Sequence, residues 1–202
     1  MTGYLSNAAE AANGAMETTA RIVMVCWVVV TAFWFVSAFW VKQTKEQQPL
    51  PSRLFYLGLT VLVVMLLKGG FLKFHLDRPV LLHNLATGIL ADLFVLLGLG
   101  IAIWARVTLG GNWSSRVTLK EGHELIQRGP YRLIRHPIYS GLLLMVLGTA
   151  ILVGRSGGFF ALLVCFGGFW VKARQEELLL TKHLPGYPEY MARTKALVPF
   201  VL

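Results

Sequence analysis

Five apolar segments separated by polar stretches constrain the fold of this chain more than any other feature of its sequence. About 20 apolar residues in a row are long enough for a helix to cross the hydrocarbon core of a bilayer. Only 14% of the residues are charged, whereas a soluble domain of this length needs more polar surface. We therefore predict an all-α, polytopic membrane protein with about five transmembrane helices. The predicted spans are residues 22–41, 54–74, 85–109, 138–153 and 157–171.

The last two predicted spans are separated by only three residues, 154–156. Two spans joined so closely must form a tight, antiparallel helical hairpin. Small residues in this hairpin, such as Gly141 and Gly148, would let helices approach each other closely. We predict that residues 1–202 form one integral membrane domain, with a polar N-terminal tail at 1–21 and a helical C-terminal segment after the last span.

The basic residues indicate how the chain is oriented. There are 19 Lys and Arg against 10 Asp and Glu, and most of the basic ones follow the first, third and fifth spans. This distribution is typical of the positive-inside rule and is a poor match to nucleic-acid binding. We therefore predict a multi-pass protein of an inner or plasma membrane, with the N-terminus outside and the segments 110–137 and 172–202 in the cytoplasm.

Two ionisable residues fall inside the apolar segments. Lys68 and Asp92 would lie at a similar depth, about 21–24 Å from the cytoplasmic side at roughly 1.5 Å per helical residue. Because an isolated charge in lipid is costly, we expect these two side chains to form an ion pair. Its role would be structural or, alternatively, proton transfer.

The residues best suited to binding or catalysis lie just before the fourth span and just after the fifth. Pro137 disfavours helix at His136 and suits the first turn of the following helix. Arg135 and His136 would then lie at a helix entrance, where a carboxylate or phosphate is attracted. The alternative is that these residues only anchor a helix at the membrane interface.

The antiparallel hairpin brings a second group to the same place. Arg135 and His136 would meet Arg174, Glu176 and Glu177 at the cytoplasmic ends of the two helices. Acids beside bases can hold a zwitterion such as an amino acid. The rings of Tyr131 and Tyr139 could also hold a sulfonium by cation–π attraction. A salt-bridged helix end is the alternative interpretation.

Several motifs from the third span to the end of the chain occur together. They are Arg106, Leu109-Gly110, Trp113-Ser114, G-P-Y-R-x-x-R-H-P-x-Y-x-G at 129–141, Glu176-Glu177, and Tyr187-x-x-Tyr190-x-x-x-Thr194-x-x-Leu197-Val198-Pro199. In this order they resemble the isoprenylcysteine carboxyl methyltransferase family and its phospholipid N-methyltransferase-like relatives. The resemblance covers roughly the C-terminal half of the chain.

The resemblance implies an enzyme that uses S-adenosylmethionine to methylate a lipid-like or prenylated substrate entering from the bilayer, with no metal. An isoprenylcysteine-type carboxylate is the acceptor that it favours. The implied cofactor-binding residues are Tyr131, His136, Pro137, Tyr139, Gly141, Glu176 and Glu177. The implied catalytic residues are Arg135, Arg174 and Glu177, and Trp104 and Arg106 would guide an acidic headgroup.

The sequence leaves the methyl acceptor open. A carboxylate is already ionised near neutral pH and needs only a cation to orient it, for which Arg135 or Arg174 would serve. A lipid amine or a small thiol would need a base, such as His136 or Glu177. A membrane reductase with a nicotinamide cofactor and a non-enzymatic scaffold or small transporter also remain open. Because no Rossmann fingerprint is present, we do not expect a nucleotide-binding sheet.

Overall fold

The computed structural model of the chain describes residues 2–40, 44–47, 50–67, 78–113, 118–120 and 125–199. The α-helices in these ranges are α1 (Thr2–Ser37), α2 (Leu50–Leu67), α3 (Leu85–Leu109), α4 (Pro137–Val153), α5 (Ser156–His183) and α6 (Tyr187–Arg193). The 3-10 turns are Ala38–Trp40, Gly110–Asn112 and Gly129–Arg132. The strands are β1 (Thr44–Gln47) and β2 (Thr118–Lys120).

Several helices have the length and composition of membrane helices. Gly14–Trp40, Leu85–Asn112 and Ser156–His183 are each long and apolar enough to cross a bilayer. Tyr56–Leu67 and Pro137–Val153 are apolar but shorter. The 17 residues of α4 are at the short end of the range that spans hydrocarbon. The helical, membrane-type architecture is as predicted, and the number of five crossings stays a prediction.

The helix boundaries in the C-terminal half agree closely with the sequence pattern. The helix α3 occupies the predicted range 85–109, and α4 begins one residue before the predicted range 138–153. Gly154 ends α4 in a left-handed conformation, with φ of 64°, which glycine adopts without strain. The helix α5 extends well beyond the predicted range 157–171 and ends only at His183.

In the N-terminal half the helix boundaries extend beyond the predicted spans. Within residues 1–21, which are predicted as a polar tail, α1 already begins at Thr2. This stretch is rich in alanine, which has the highest helix propensity, so the helix of the first span extends through it. The predicted span 54–74 corresponds to α2, and the part of that range after Leu67 lies outside the described residues.

The expected Lys68–Asp92 pair is not tested, because Lys68 lies outside the described residues. Asp92 itself is inside the helix bundle, where its Oδ2 accepts a hydrogen bond of 3.2 Å from the hydroxyl of Thr19 on α1. A second polar contact joins α1 to α4, where the indole nitrogen of Trp27 donates to Thr149 at 3.0 Å. These contacts fix α1 against the C-terminal helices.

A two-stranded antiparallel sheet was not predicted. β1 lies between α1 and α2, and β2 follows α3, with Thr44 opposite Lys120 and Gln47 opposite Thr118. Strands of three or four residues are too short to leave a clear alternating pattern in the sequence. The all-α prediction therefore needs this addition. The sheet joins two connections at the same end of the helix bundle.

The helices α3 and α4 approach each other so closely that only glycine fits at their contact. A Cβ atom on Gly98 would overlap the carbonyl oxygen of Gly141 and would lie 2.8 Å from the backbone nitrogen of Met145. A Cβ atom on Gly148 would lie 2.6 Å from the carbonyl oxygen of Ala91. The small residues of α4 therefore face α3, which holds the start of α4 in a fixed position.

We predict that Gly98→Ala destabilises the protein by about 1–3 kcal/mol, because backbone atoms must shift to accommodate the new methyl group. Gly100→Ala on the same helix is the control, since a Cβ atom there meets no atom within 4 Å. Thermal unfolding of both variants in detergent would measure the difference. Equal stability of the two variants would contradict the close contact.

Candidate active site

The site forms where the segment before α4 runs beside the C-terminal segment. Pro137 is the first residue of α4, so His136 has a non-helical backbone with φ of −123° and ψ of 57°. The backbone N–H of Arg135 donates to the carbonyl of Lys195 at 2.8 Å, and that of His136 donates to the carbonyl of Ala196 at 3.0 Å. The backbone therefore positions both side chains opposite the end of α5.

The Arg135 guanidinium is the central cation of the site. Its Nε lies 2.7 Å from Oε1 of Glu177, and both side chains are almost completely buried. Its Nη1 also donates to the backbone carbonyls of Met191 and Thr194. One side chain thus joins α5 to the chain that follows α6. Removing one partner of such a buried pair typically costs about 3–5 kcal/mol.

The ring of His136 lies between the two glutamates of α5. Its Nδ1 lies 3.5 Å from Oε2 of Glu176, and its Nε2 lies 3.3 Å from Oε1 of Glu177. Burial alone lowers the pKa of His136, but the hydrogen bonds and charges of the two carboxylates outweigh burial and raise that pKa above 6.5. A protonated imidazole can donate to both carboxylates at once. We call Arg135, His136, Glu176 and Glu177 the charged cluster.

An aromatic stack lies beside the charged cluster. The ring of Tyr139 is parallel to the ring of His136, with centroids 5.4 Å apart, and to the ring of Phe169, with centroids 4.8 Å apart. The Tyr139 hydroxyl donates to Oε1 of Glu176 at 2.6 Å. The ammonium of Lys172 lies 5.4 Å from the Tyr139 ring centroid, within cation–π range.

The charged cluster opens into a cavity of about 820 Å³, its mouth included. We call it the polar cavity. Its walls are Leu109, Asn112, Trp113, Leu125, Ile126, Tyr131, Arg135, His136, Ile138, Tyr139, Glu176, Leu179, Leu180, Leu184, Tyr187 and Tyr190. Burial raises the pKa of Tyr190 to about 12, so its hydroxyl stays protonated and donates to the Tyr131 carbonyl at 2.6 Å.

A second, larger cavity of about 1,660 Å³, its mouth included, adjoins the aromatic stack. We call it the apolar cavity, because its walls come mainly from apolar side chains of α1, α2, α4 and α5. They are Trp27, Tyr56, Leu57, Leu59, Thr60, Val63, Val64, Leu67, Leu142, Val146, Thr149, Cys165, Gly168, Phe169 and Lys172. Phe169 and Lys172 also contact Tyr139 of the polar cavity, so the two cavities are neighbours.

The structure brings together most of the residues that the sequence singled out. Five of them line the polar cavity, namely Tyr131, Arg135, His136, Tyr139 and Glu176. Glu177 is buried behind Arg135 and contacts the cavity only through its partners. Pro137 is fully buried at the start of α4, and Gly141 packs against Ala102 of α3. Neither Pro137 nor Gly141 lines the polar cavity, and their predicted part in cofactor binding stays a prediction.

Three predicted site residues lie outside the wall of the polar cavity. Arg174 is half exposed; its guanidinium contacts Glu177 at 3.2 Å and lies over the ring of Trp170. Trp104 is also half exposed, on the surface of α3. Arg106 is buried, and it donates to the carbonyl of Gly110 at 2.8 Å and to that of Ser37 at 2.7 Å. These contacts tie the end of α3 to the end of α1, and the roles of Trp104 and Arg106 toward a headgroup stay predictions.

Sequence reasoning assigned no role to several wall residues. Tyr187 and Tyr190 were part of the recognised motif, and their spacing of three residues on α6 could have indicated one helix face directed at the site. Lys172 was noted only as a basic residue after the fifth span. Asn112 and Ile126 lie in a connection without regular pattern, so only the fold could bring them to the cavity.

Comparisons with known proteins agree with this geometry. The solved structure of a eukaryotic intramembrane Ras methyltransferase, an isoprenylcysteine carboxyl methyltransferase, matches 72% of this chain and 52% of its own, with a TM-score of 0.52 and 22% identity. The chain therefore has the fold of an integral membrane protein of this class. Residues 90–182 match the isoprenylcysteine carboxyl methyltransferase family, which confirms the resemblance of the C-terminal half.

Named relatives match about half of the chain. A probable protein-S-isoprenylcysteine O-methyltransferase from Oryza sativa subsp. indica is 31% identical over 111 residues, which are 53% of this chain and 58% of the relative. Protein-S-isoprenylcysteine O-methyltransferase B of Arabidopsis thaliana is 30% identical, over 53% and 56%. The cobalt-zinc-cadmium resistance protein CzcN of Cupriavidus metallidurans is 30% identical, over 52% and 50%. The chain thus spans only 50–58% of the length of these curated relatives.

We predict that thermal stability falls as the pH rises through the raised pKa of His136. Because the folded pKa is above the unfolded value of 6.5, this stabilisation is complete below pH 6.5 and is lost at higher pH. Thermal unfolding in detergent from about pH 6 to about pH 9 would measure the loss. His136→Gln should lack this pH dependence, and an unchanged dependence in that variant would contradict the assignment.

Proposed function

We propose that the chain is an S-adenosylmethionine-dependent methyltransferase whose acceptor is the carboxylate of a membrane-borne isoprenylcysteine. One observation carries this proposal. The polar cavity, with its charged cluster, directly adjoins an apolar cavity among the membrane-type helices. A hydrophilic cofactor and a lipid-like acceptor can therefore meet at Tyr139. The family match at residues 90–182 includes this junction and supports the same activity.

The residues of the polar cavity fit S-adenosylmethionine. Glu176 keeps acceptor capacity beyond its bonds to Tyr139 and His136, so it can accept from an ammonium group. Arg135 supplies the matching positive charge for a carboxylate. The rings of Tyr131 and Tyr139 offer faces that attract a sulfonium. The remaining wall is largely apolar and suits the adenosine part.

When bound, S-adenosylmethionine would supply an electrophilic methyl group. The task of the protein is then to align the acceptor with that group and to exclude water. The aromatic stack of His136, Tyr139 and Phe169 forms a wall at the junction of the cavities. A carboxylate acceptor is ionised near neutral pH, so no side chain has to act as a base.

Lys172 is the cation best located to orient the acceptor carboxylate. It lines the apolar cavity, and its ammonium lies 5.4 Å from the ring of Tyr139 and 5.7 Å from that of Tyr56. The sequence proposed Arg135 or Arg174 for this role. Arg135 lines the polar cavity and not the apolar cavity, so it would face the cofactor, and Arg174 is half exposed outside both cavities. Both positions favour Lys172 instead.

We expect detergent-purified protein to bind S-adenosylmethionine saturably in isothermal titration. Glu176→Gln should weaken binding by about ten- to a hundredfold, because a charge-assisted hydrogen bond to the ligand is lost. Glu189→Gln, on the exposed side of α6, is the matched control and should leave the affinity unchanged. A folded native protein that binds no S-adenosylmethionine would contradict the proposal, and nicotinamide dinucleotides would then be titrated.

We expect Val63→Trp to raise the KM for N-acetyl-S-farnesylcysteine by about tenfold or more, because the indole fills the apolar cavity. The affinity for S-adenosylmethionine should not change. Val61→Trp is the control on the same helix, where the side chain is not part of the cavity wall. Methyl-ester formation with labelled cofactor would measure both. An unchanged KM in Val63→Trp would contradict this acceptor route.

A further inference from the structure

Asn112 holds a buried amide oxygen to which no described residue donates a hydrogen bond. It is the last residue of the 3-10 turn after α3, and its exposed fraction is only 7%. Its Oδ1 accepts no hydrogen bond from the part of the chain that the structure describes. Burying an amide oxygen without a donor is unfavourable. A residue of this kind in a cavity wall indicates a ligand that supplies the donor.

The turn that carries Asn112 is held firmly in place. Arg106 donates to the carbonyl of Gly110 at 2.8 Å and to that of Ser37 at 2.7 Å, which ties the turn to the end of α1. The guanidinium also lies 4.5 Å from the ring centroid of Trp113. Asn112 is therefore fixed from both sides and does not reach solvent by a small shift of the turn.

Asn112 belongs to the polar cavity but not to its charged cluster. The charged residues come from the segment before α4 and from α5, whereas Asn112 comes from the end of α3. The neighbouring wall residues Leu109, Trp113 and Ile126 are apolar and pack against the buried cluster that contains Tyr131. An apolar and aromatic wall with one amide suits a flat heterocycle that presents a hydrogen-bond donor at its edge.

We propose that Asn112 is a specificity-determining residue that recognises the exocyclic amine of the cofactor's adenine. This inference rests on the proposed function. An asparagine carboxamide matches the edge of adenine, because its oxygen accepts from the N6 amine while its nitrogen donates to a ring nitrogen. The ammonium and carboxylate of the same cofactor are directed to the charged cluster. The wall beside Asn112 is apolar and suits the base better than the ribose.

The test compares S-adenosylhomocysteine with its 6-deamino analogue, in which hydrogen replaces the amine, by isothermal titration of the purified full chain. The native protein should bind the analogue about tenfold more weakly, since its buried acceptor stays without a donor. Asn112→Leu should bind both ligands with similar affinity. Asn112→Asp keeps an oxygen acceptor and should keep the preference for the amine.

Each outcome of this test is decisive. Equal affinity of the native protein for the two ligands would overturn the proposal, and so would a preference that persists in Asn112→Leu. In both cases binding of S-adenosylhomocysteine would still support the cofactor itself. If Asn112→Leu weakens the binding of both ligands equally and the preference for the amine remains, Asn112 contacts the ribose. This result would also overturn the proposal. No binding of either ligand to folded native protein would instead contradict the proposed function and this inference with it.

Discussion

The buried ion pair between Arg135 and Glu177 is the interaction on which the site depends. It joins the segment before α4 to α5, and the same guanidinium donates to the carbonyls of Met191 in α6 and of Thr194 just after it. A desolvated charge with one partner removed is strongly unfavourable, so these parts of the chain are coupled. Arg135 is part of the wall of the polar cavity, and Glu177 lies behind it. The pair leaves Glu176, His136 and Tyr139 facing the cavity in a fixed geometry.

The close contact between α3 and α4 fixes the start of α4, and Arg135 of the ion pair lies just before that start. Because Gly98 and Gly141 bring the two backbones together, the start of α4 has a fixed position relative to the end of α3. The end of α3 contributes Asn112 and Trp113 to the same cavity that His136 and Tyr139 enter from α4. Small residues are the usual means of packing helices in lipid, where burial of apolar surface gives no drive for association. Packing inside the bundle and the shape of the site are therefore linked.

The ring of Tyr139 also lies between the polar cavity and the apolar cavity. Tyr139 is part of the polar cavity, while Phe169, stacked on it, is part of the apolar cavity. Water-soluble and lipid-like ligands would thus reach the same point from different sides. The ammonium of Lys172 lies at this boundary, near the rings of Tyr139 and Tyr56. The two cavities therefore meet at the aromatic stack of His136, Tyr139 and Phe169.

The sequence by itself determined the membrane-type helices and the core of the site. The boundaries of α3 and α4 follow from local signals that need no tertiary information: both apolar runs end at a glycine, α3 begins after the Asn84 cap, and α4 begins at Pro137. The nearness of Arg135 and His136 to Glu176 and Glu177 follows from an antiparallel hairpin. Only the tertiary structure decided which of these residues line the cavity and which lie behind it. The face that a residue presents depends on helix rotation and on chain segments far apart in sequence, which the sequence pattern does not reveal. Examples are Arg106, Gly141 and Asn112.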